Sequence, residues 1–252
     1  MKWLRTTGII AAVLVGAALL IEAVKKIRAA EARTHCINNS KQLGLTLLGY
    51  HDSQKRFPSA IAAKPTKEFP PDVQLSWVNE TIPWLEAHMD PKWITNRKLP
   101  WDHPDNQYVT RRKLQVYVCP SNPRVDDPFY VTHYVGITGI GKDAAWLPTD
   151  DANAGMFGYE RKVTIPDLKN GLANVIMISE TATDNGPWAR GGFSTSRGFD
   201  RHGTAYLGEA GQFSANHSGI SQVCMADGTV RPLAEDTSDE VLEALAILAP
   251  KH

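Results

Sequence analysis

The first proline of the chain is Pro58, and nothing ahead of it breaks a helix. The first fifty-seven residues are therefore free to form one very long helix, and its character changes along its length. Lys2 and Arg5 precede an uncharged run from Thr6 to Ile21. As a helix that run is roughly 24 Å long, somewhat short of a bilayer core of about 30 Å. Trp3 suits the interface, and Arg5, Lys25 and Lys26 can snorkel from either end. Residues 1–24 are expected to be a single-pass transmembrane anchor in the cytoplasmic membrane, with the bulk of the chain outside the cytoplasm. "AEA" at Ala30–Ala32 resembles a signal-peptidase site, but it lies beyond Lys25, Lys26 and Arg28, so an uncleaved anchor is the better reading.

Residues 25–56 read as an amphipathic continuation. Cys36, Ser40, Leu43, Leu47 and Tyr50 step by four and three, with Ile37, Gly44, Leu48 and His51 beside them. This stripe should pack on a globular body, residues 57–252. There "SWVNETIPWLEAHMD" and "NQYVTRRKL" read as helical, while "QVYVC", "HYVGITG" and "NVIMISETA" read as strands. "SQVCMADGTVRPL" reads as a hairpin turning on Asp227-Gly228, for which a type I′ turn is expected. Thr237 and Glu240 have capping-box spacing ahead of a last helix. The glycine-rich stretch 183–212 reads as loop and a candidate binding surface. The fold class is α+β: a long N-terminal helix, its first half membrane-embedded, packed on a mostly antiparallel sheet.

Lys+Arg and Asp+Glu both total 27, and with no basic block the chain is not expected to bind nucleic acid. It holds no G-x-S-x-G, H-E-x-x-H, P-loop or G-x-G-x-x-G, so an enzyme is not expected. C-x-x-C is also absent, which excludes a zinc ribbon. Metal ligands are available in His217, Asp227 and Glu180, and oxygen donors in Asp150, Asp151 and Asn153. Ten residues of extended strand would hold His217 and Asp227 up to ~33 Å apart, so structural duties suit that pair better. Cys224, among Val223 and Met225, reads as a buried free thiol. Trp77, Trp84, Trp93, Trp101, Trp146 and Trp188 offer rings for stacking on sugars, though most suit core positions.

Several blocks together resemble a known family. "CINNSKQLGLTLLGYHDSQKRFP" contains Asn38, Asn39, Lys41, Gln42, Gly44, Tyr50, His51, Phe57 and Pro58; "VCPSNP" contains Pro120 and Ser121. "ISET" ends near Glu180, and "NHSGISQVCMADGTV" is an H-x9-D-G block carrying His217, Asp227 and Gly228. In this order they resemble the bacterial domain of unknown function 1559 family, whose members are prepilin- or pseudopilin-like. The resemblance implies a long helix on a β-sheet and a non-enzymatic envelope protein in an assembly or secretion-like apparatus. Its partners would be the lipid bilayer and other pilin-like subunits along the N-terminal helix. The alternative is a tethered solute- or polysaccharide-binding module. In an exported domain Cys36 and Cys119, which both fall in these blocks, are the candidates for a disulfide, and the resemblance admits a structural divalent cation such as calcium. The front departs from the prepilin pattern. Gly8 is followed by "IIAAV" with no acid five positions on, and Glu22 is the first acid. A fixed anchor fits that better than a filament subunit.

Overall fold

A computed structural model describes residues 2–85, 93–122, 128–200, 205–208, 211–214, 217 and 219–250, with helix side chains described from residue 14 onward. Helix α1 runs unbroken from Lys2 to Gln54. It stops where Lys55 takes a left-handed φ of 58° and donates its N–H to the His51 carbonyl. Phe57 then bonds to Val163, and the chain turns into the body.

The expected stripe is buried. Cys36, Ser40, Leu43, Leu47 and Tyr50 all face the interior. Leu14, Val15, Leu19, Leu20, Ile21, Val24 and Ile27, by contrast, are all exposed. Among the described residues no helix is long and apolar enough to cross a membrane. The first half of the expected anchor, residues 1–13, has its side chains outside the described ones.

Five strands form one sheet: β1 Tyr134–Ile140, β2 Ile176–Glu180, β3 Ser196–Phe199, β4 Ile220–Met225 and β5 Val230–Ala234. Their order is β3-β1-β2-β4-β5. All neighbours are antiparallel except β1 and β3, which run parallel. The sheet separates two cores. On one face lies α1 with helix α2, Trp77–Leu85, over Leu43, Leu47, Trp77, Tyr134, Ile178 and Cys224. The other face packs Val135, Ile137, Phe199, Val223 and Met225 against Leu242 and Ala246 of the C-terminal helix Asp239–Ala246.

Close approach of α1 to the sheet depends on Gly44. A Cβ there would lie 2.5 Å from the Cys224 sulfur and 3.3 Å from Gly228 Cα. At the other end of the same seam, Tyr50 donates its hydroxyl to Glu80 Oε2 at 2.7 Å, and Arg97 holds Oε1 at 3.0 Å. Glu80 is thus a buried carboxylate with two partners, as such a group needs.

Four local expectations are corrected. Gln115–Tyr117 of "QVYVC" is a 3-10 turn and not a strand. The Asp-Gly hairpin forms, but only Gly228 of its loop has a positive φ, 81°. Its N–H reaches the Met225 carbonyl at 2.9 Å, giving a three-residue loop with a glycine bulge in place of type I′. Thr237 donates to the Ala234 carbonyl instead of capping, and Ser238 is the N-cap. Within the stretch read as loop, Ser196–Phe199 forms edge strand β3, with all four residues buried.

Candidate functional site

Where α1 meets the sheet, four side chains from separate parts of the chain converge. Cys36 comes from the docked half of α1. Cys119 follows the Gln115–Tyr117 turn, Glu180 ends β2, and His217 stands just ahead of β4. The two sulfurs, a carboxylate oxygen and an imidazole nitrogen all lie within 4.8 Å of one another. His217 Nε2 is 3.5 Å from the Cys119 sulfur and 3.4 Å from Glu180 Oε1. Cys36, Cys119 and Glu180 are 0% exposed, and His217 is 6% exposed.

Each member is held from behind. The Cys119 N–H donates to His133 Nδ1 at 3.0 Å. Asn39 Nδ2 reaches from α1 to the Val118 carbonyl at 3.2 Å, tying the helix to the cysteine-bearing turn. Glu180 sits opposite Tyr134 in the β1–β2 register, so the two side chains share the face toward α1. The Tyr134 hydroxyl donates to the Cys36 carbonyl at 3.4 Å. His217 is placed by its own carbonyl, which accepts from Ile220 at the start of β4.

The electrostatics of the four are interdependent. The Cys36 thiol donates to the Cys119 sulfur, and this bond, then burial, then the Glu180 charge raise the Cys36 pKa. The same bond lowers Cys119, against burial and with help from His217. Burial works against charge on His217. Hydrogen bonding to Cys119 and Glu180, with their negative charge, outweighs it and pushes the imidazole up to about 9. Behind them, burial drives His133 down to about 4 despite the Glu180 charge, so it is a neutral acceptor. The partner of the Glu180 carboxylate is the His217 ring, 3.4 Å from Oε1. A fully buried carboxylate is costly unless it is paired, and a metal cation among these four groups would take over that role from the imidazolium.

Sulfur, imidazole and carboxylate together make a donor set for borderline-soft divalent metals. They do not suit calcium, which takes six to eight oxygens. Nor do buried thiols enclosed on all sides present a nucleophile to substrate.

Of the residues singled out from the sequence, His217 and Glu180 meet here and Asp227 does not. Asp227 stays in the β4–β5 loop, where Oδ1 accepts from the Thr229 N–H at 2.8 Å and hydroxyl at 2.6 Å. Asp151 likewise accepts from the Asn153 N–H at 2.8 Å in a turn. Cys36 and Cys119, the candidate disulfide partners, stand side by side in the cluster. Both are free thiols, one hydrogen-bonded to the other. Cys224 is a buried free thiol against Gly44. Reading Cys36 and Cys119 as a covalent pair, apart from His217 and Glu180, missed the four-sided cluster. Local spacing carries no signal for it, because no two members lie near each other in the chain. Trp77 and Trp188 are core residues, so six rings do not assemble as one stacking face.

The fold and cluster define a class: an α+β protein in which a long, half-docked helix closes a buried thiol, imidazole and carboxylate centre against a mixed sheet. Within that class the chain belongs to the family described as protein of unknown function (DUF1559), whose sequence profile matches residues 25–208. Cys36, Cys119 and Glu180 fall inside the matched span, and His217 follows it. No curated protein and no solved structure matches the chain.

Proposed function

We propose that this protein is a membrane-anchored, non-enzymatic, pilin-like component of the cell envelope. Its body lies outside the cytoplasmic membrane and serves an assembly or secretion-like apparatus. The observation that supports this reading is the division of α1. One continuous helix buries a full stripe from Cys36 to Tyr50, yet exposes seven large apolar side chains between Leu14 and Ile27. Exposed apolar surface on that scale needs a nonaqueous neighbour. A bilayer suits it, because cations bracket the apolar run: Lys2 and Arg5 before it, Lys25, Lys26 and Arg28 after it. Glu22, the first acid, is exposed and paired with Lys25 at 2.8 Å. It closes the run as part of a surface pair, which favours a fixed anchor over filament register.

Fractionation of cells expressing the full chain tests the reading. The chain should stay in the membrane pellet through alkaline carbonate, and deletion of residues 2–24 should release it. Recovery of the intact chain in the soluble fraction would reject the anchor. Crosslinkers placed between Ile9 and Ile21 should also capture lateral protein partners; capture of lipid alone would leave a tether without the proposed apparatus.

A further inference from the structure

We infer that Cys36, Cys119, Glu180 and His217 form a four-coordinate zinc site that fastens α1 to the sheet. Metal–sulfur distances of about 2.3 Å and metal–nitrogen or metal–oxygen distances of about 2.0–2.2 Å place neighbouring donors ~3.3–3.8 Å apart around a tetrahedron. The sulfur–nitrogen and nitrogen–oxygen separations at His217, 3.5 and 3.4 Å, are already of that size. The remaining donors lie within 4.8 Å, so closure needs only small side-chain movements. Two thiolates and an imidazole select zinc over calcium or magnesium.

Glu180 supplies an independent observation. It is wholly buried beside the sulfurs, and the imidazole of His217, itself a candidate ligand, is the charge partner it has there, 3.4 Å from Oε1. A divalent cation satisfies it directly. All four positions are filled by protein and the centre is closed to solvent, as in structural sites and unlike catalytic ones, which keep a position open. Binding requires both thiols and His217 Nε2 to release their protons to solvent, and involves no change of oxidation state. Outer contacts of the expected kind are present. His133 orients Cys119 through its backbone, and Tyr134 braces the Cys36 carbonyl.

The site joins one residue of α1 to three of the body. Its work is therefore to hold the helix, and with it whatever the exposed half of the helix engages, rigidly to the sheet. This inference uses only residues of the docked half and the body, so it stands whether or not the helix enters a membrane.

The test uses the full chain, purified in detergent with thiols kept reduced. Metal analysis should find about one zinc per chain. After chelation and reloading with cobalt(II), the spectrum should show thiolate-to-metal charge transfer and the strong visible bands of a tetrahedral site. Glu180→Gln, which keeps the side-chain shape, should weaken zinc binding by more than about tenfold. Cys224→Ser should retain full stoichiometry. The inference is overturned if the reduced chain takes up no stoichiometric zinc, or if cobalt gives no charge-transfer band. It also fails if thiol trapping in intact cells finds Cys36 and Cys119 joined as a disulfide. Should Glu180→Gln fail to fold, the cobalt spectrum of the unaltered chain decides alone.

Discussion

The two ends of α1 share one backbone and almost nothing else. Between Leu14 and Ile27 the large apolar side chains are exposed; from Cys36 to Tyr50 an equally helical stretch presses a stripe into the core. Gly16 and Gly44 condense the contrast. A Cβ at Gly16 would meet nothing within 4 Å, whereas one at Gly44 would strike Cys224. The same residue type is a local weakness in one place and a requirement of packing in the other. Helix continuity is therefore a local property here, while the use of each segment depends on what lies across from it.

The largest expected break of this contrast is a pair of leucine truncations. Leu47→Ala removes a 0%-exposed side chain and should cost about 2–5 kcal/mol in denaturant unfolding of the detergent-held chain. Leu20→Ala, 69% exposed, should stay within about 0.5 kcal/mol. Equal costs would mean that the exposed half packs on the body after all.

Acid should come next, and should act on the docked half alone. Burial holds His133 at about 4, below the 6.5 of an unfolded histidine. Between these values the unfolded chain binds the extra proton. Stability from this residue is therefore complete above pH 6.5 and is lost as pH falls toward 4, by about 3 kcal/mol. His133→Asn retains an acceptor for Cys119 without the titration, so it should flatten that part of the pH profile. Amide exchange should quicken over residues 36–50 in acid and stay unchanged over residues 14–30. An unaltered pH slope in the variant would remove His133 from the account.

The glycines give a smaller effect of opposite signs. Gly44→Ala should destabilise by about 1–3 kcal/mol through overpacking against Cys224 and the hairpin. Gly16→Ala should strengthen the free half locally by about 1 kcal/mol, seen as slower exchange there with an unchanged unfolding midpoint. The smallest effect belongs to Asp227. Its replacement by Ala removes two bonds in an exposed loop and should cost about 1 kcal/mol, with zinc content untouched. Loss of zinc in Asp227→Ala would place that residue in the centre.

Much of this architecture was legible from periodicity and turn chemistry. The stripe from Cys36 to Tyr50 follows helical spacing. β-Branched runs mark β1 and β2, and Asp227-Gly228 marks the β4–β5 hairpin. What misled was local character overruled by context. "QVYVC" has strand composition but curls into a 3-10 turn, and Cys119 is then held by His133. "SRGF" has little strand character, yet β1 recruits it as a parallel edge. Its Arg197 is accommodated because the Thr181 hydroxyl and Thr183 carbonyl accept from its guanidinium at 2.7 and 2.8 Å. For the site, His217 and Glu180 were visible as donor types and the two cysteines as a pair. Asp227, read beside them as a third donor, stays in the β4–β5 loop.

By itself, then, the sequence determined the length of α1, the stripe along its second half, strands β1 and β2, and one hairpin. All of these follow from interactions between residues a few positions apart. Tertiary structure alone decided that Cys36, Cys119, Glu180 and His217 meet and that Asp227 stays away. It did so because the β1–β2 register aims Glu180 at α1, and Gly44 lets the helix come close enough to bring Cys36 with it. Proximity of that kind comes from folding over long separations, and no local pattern encodes it.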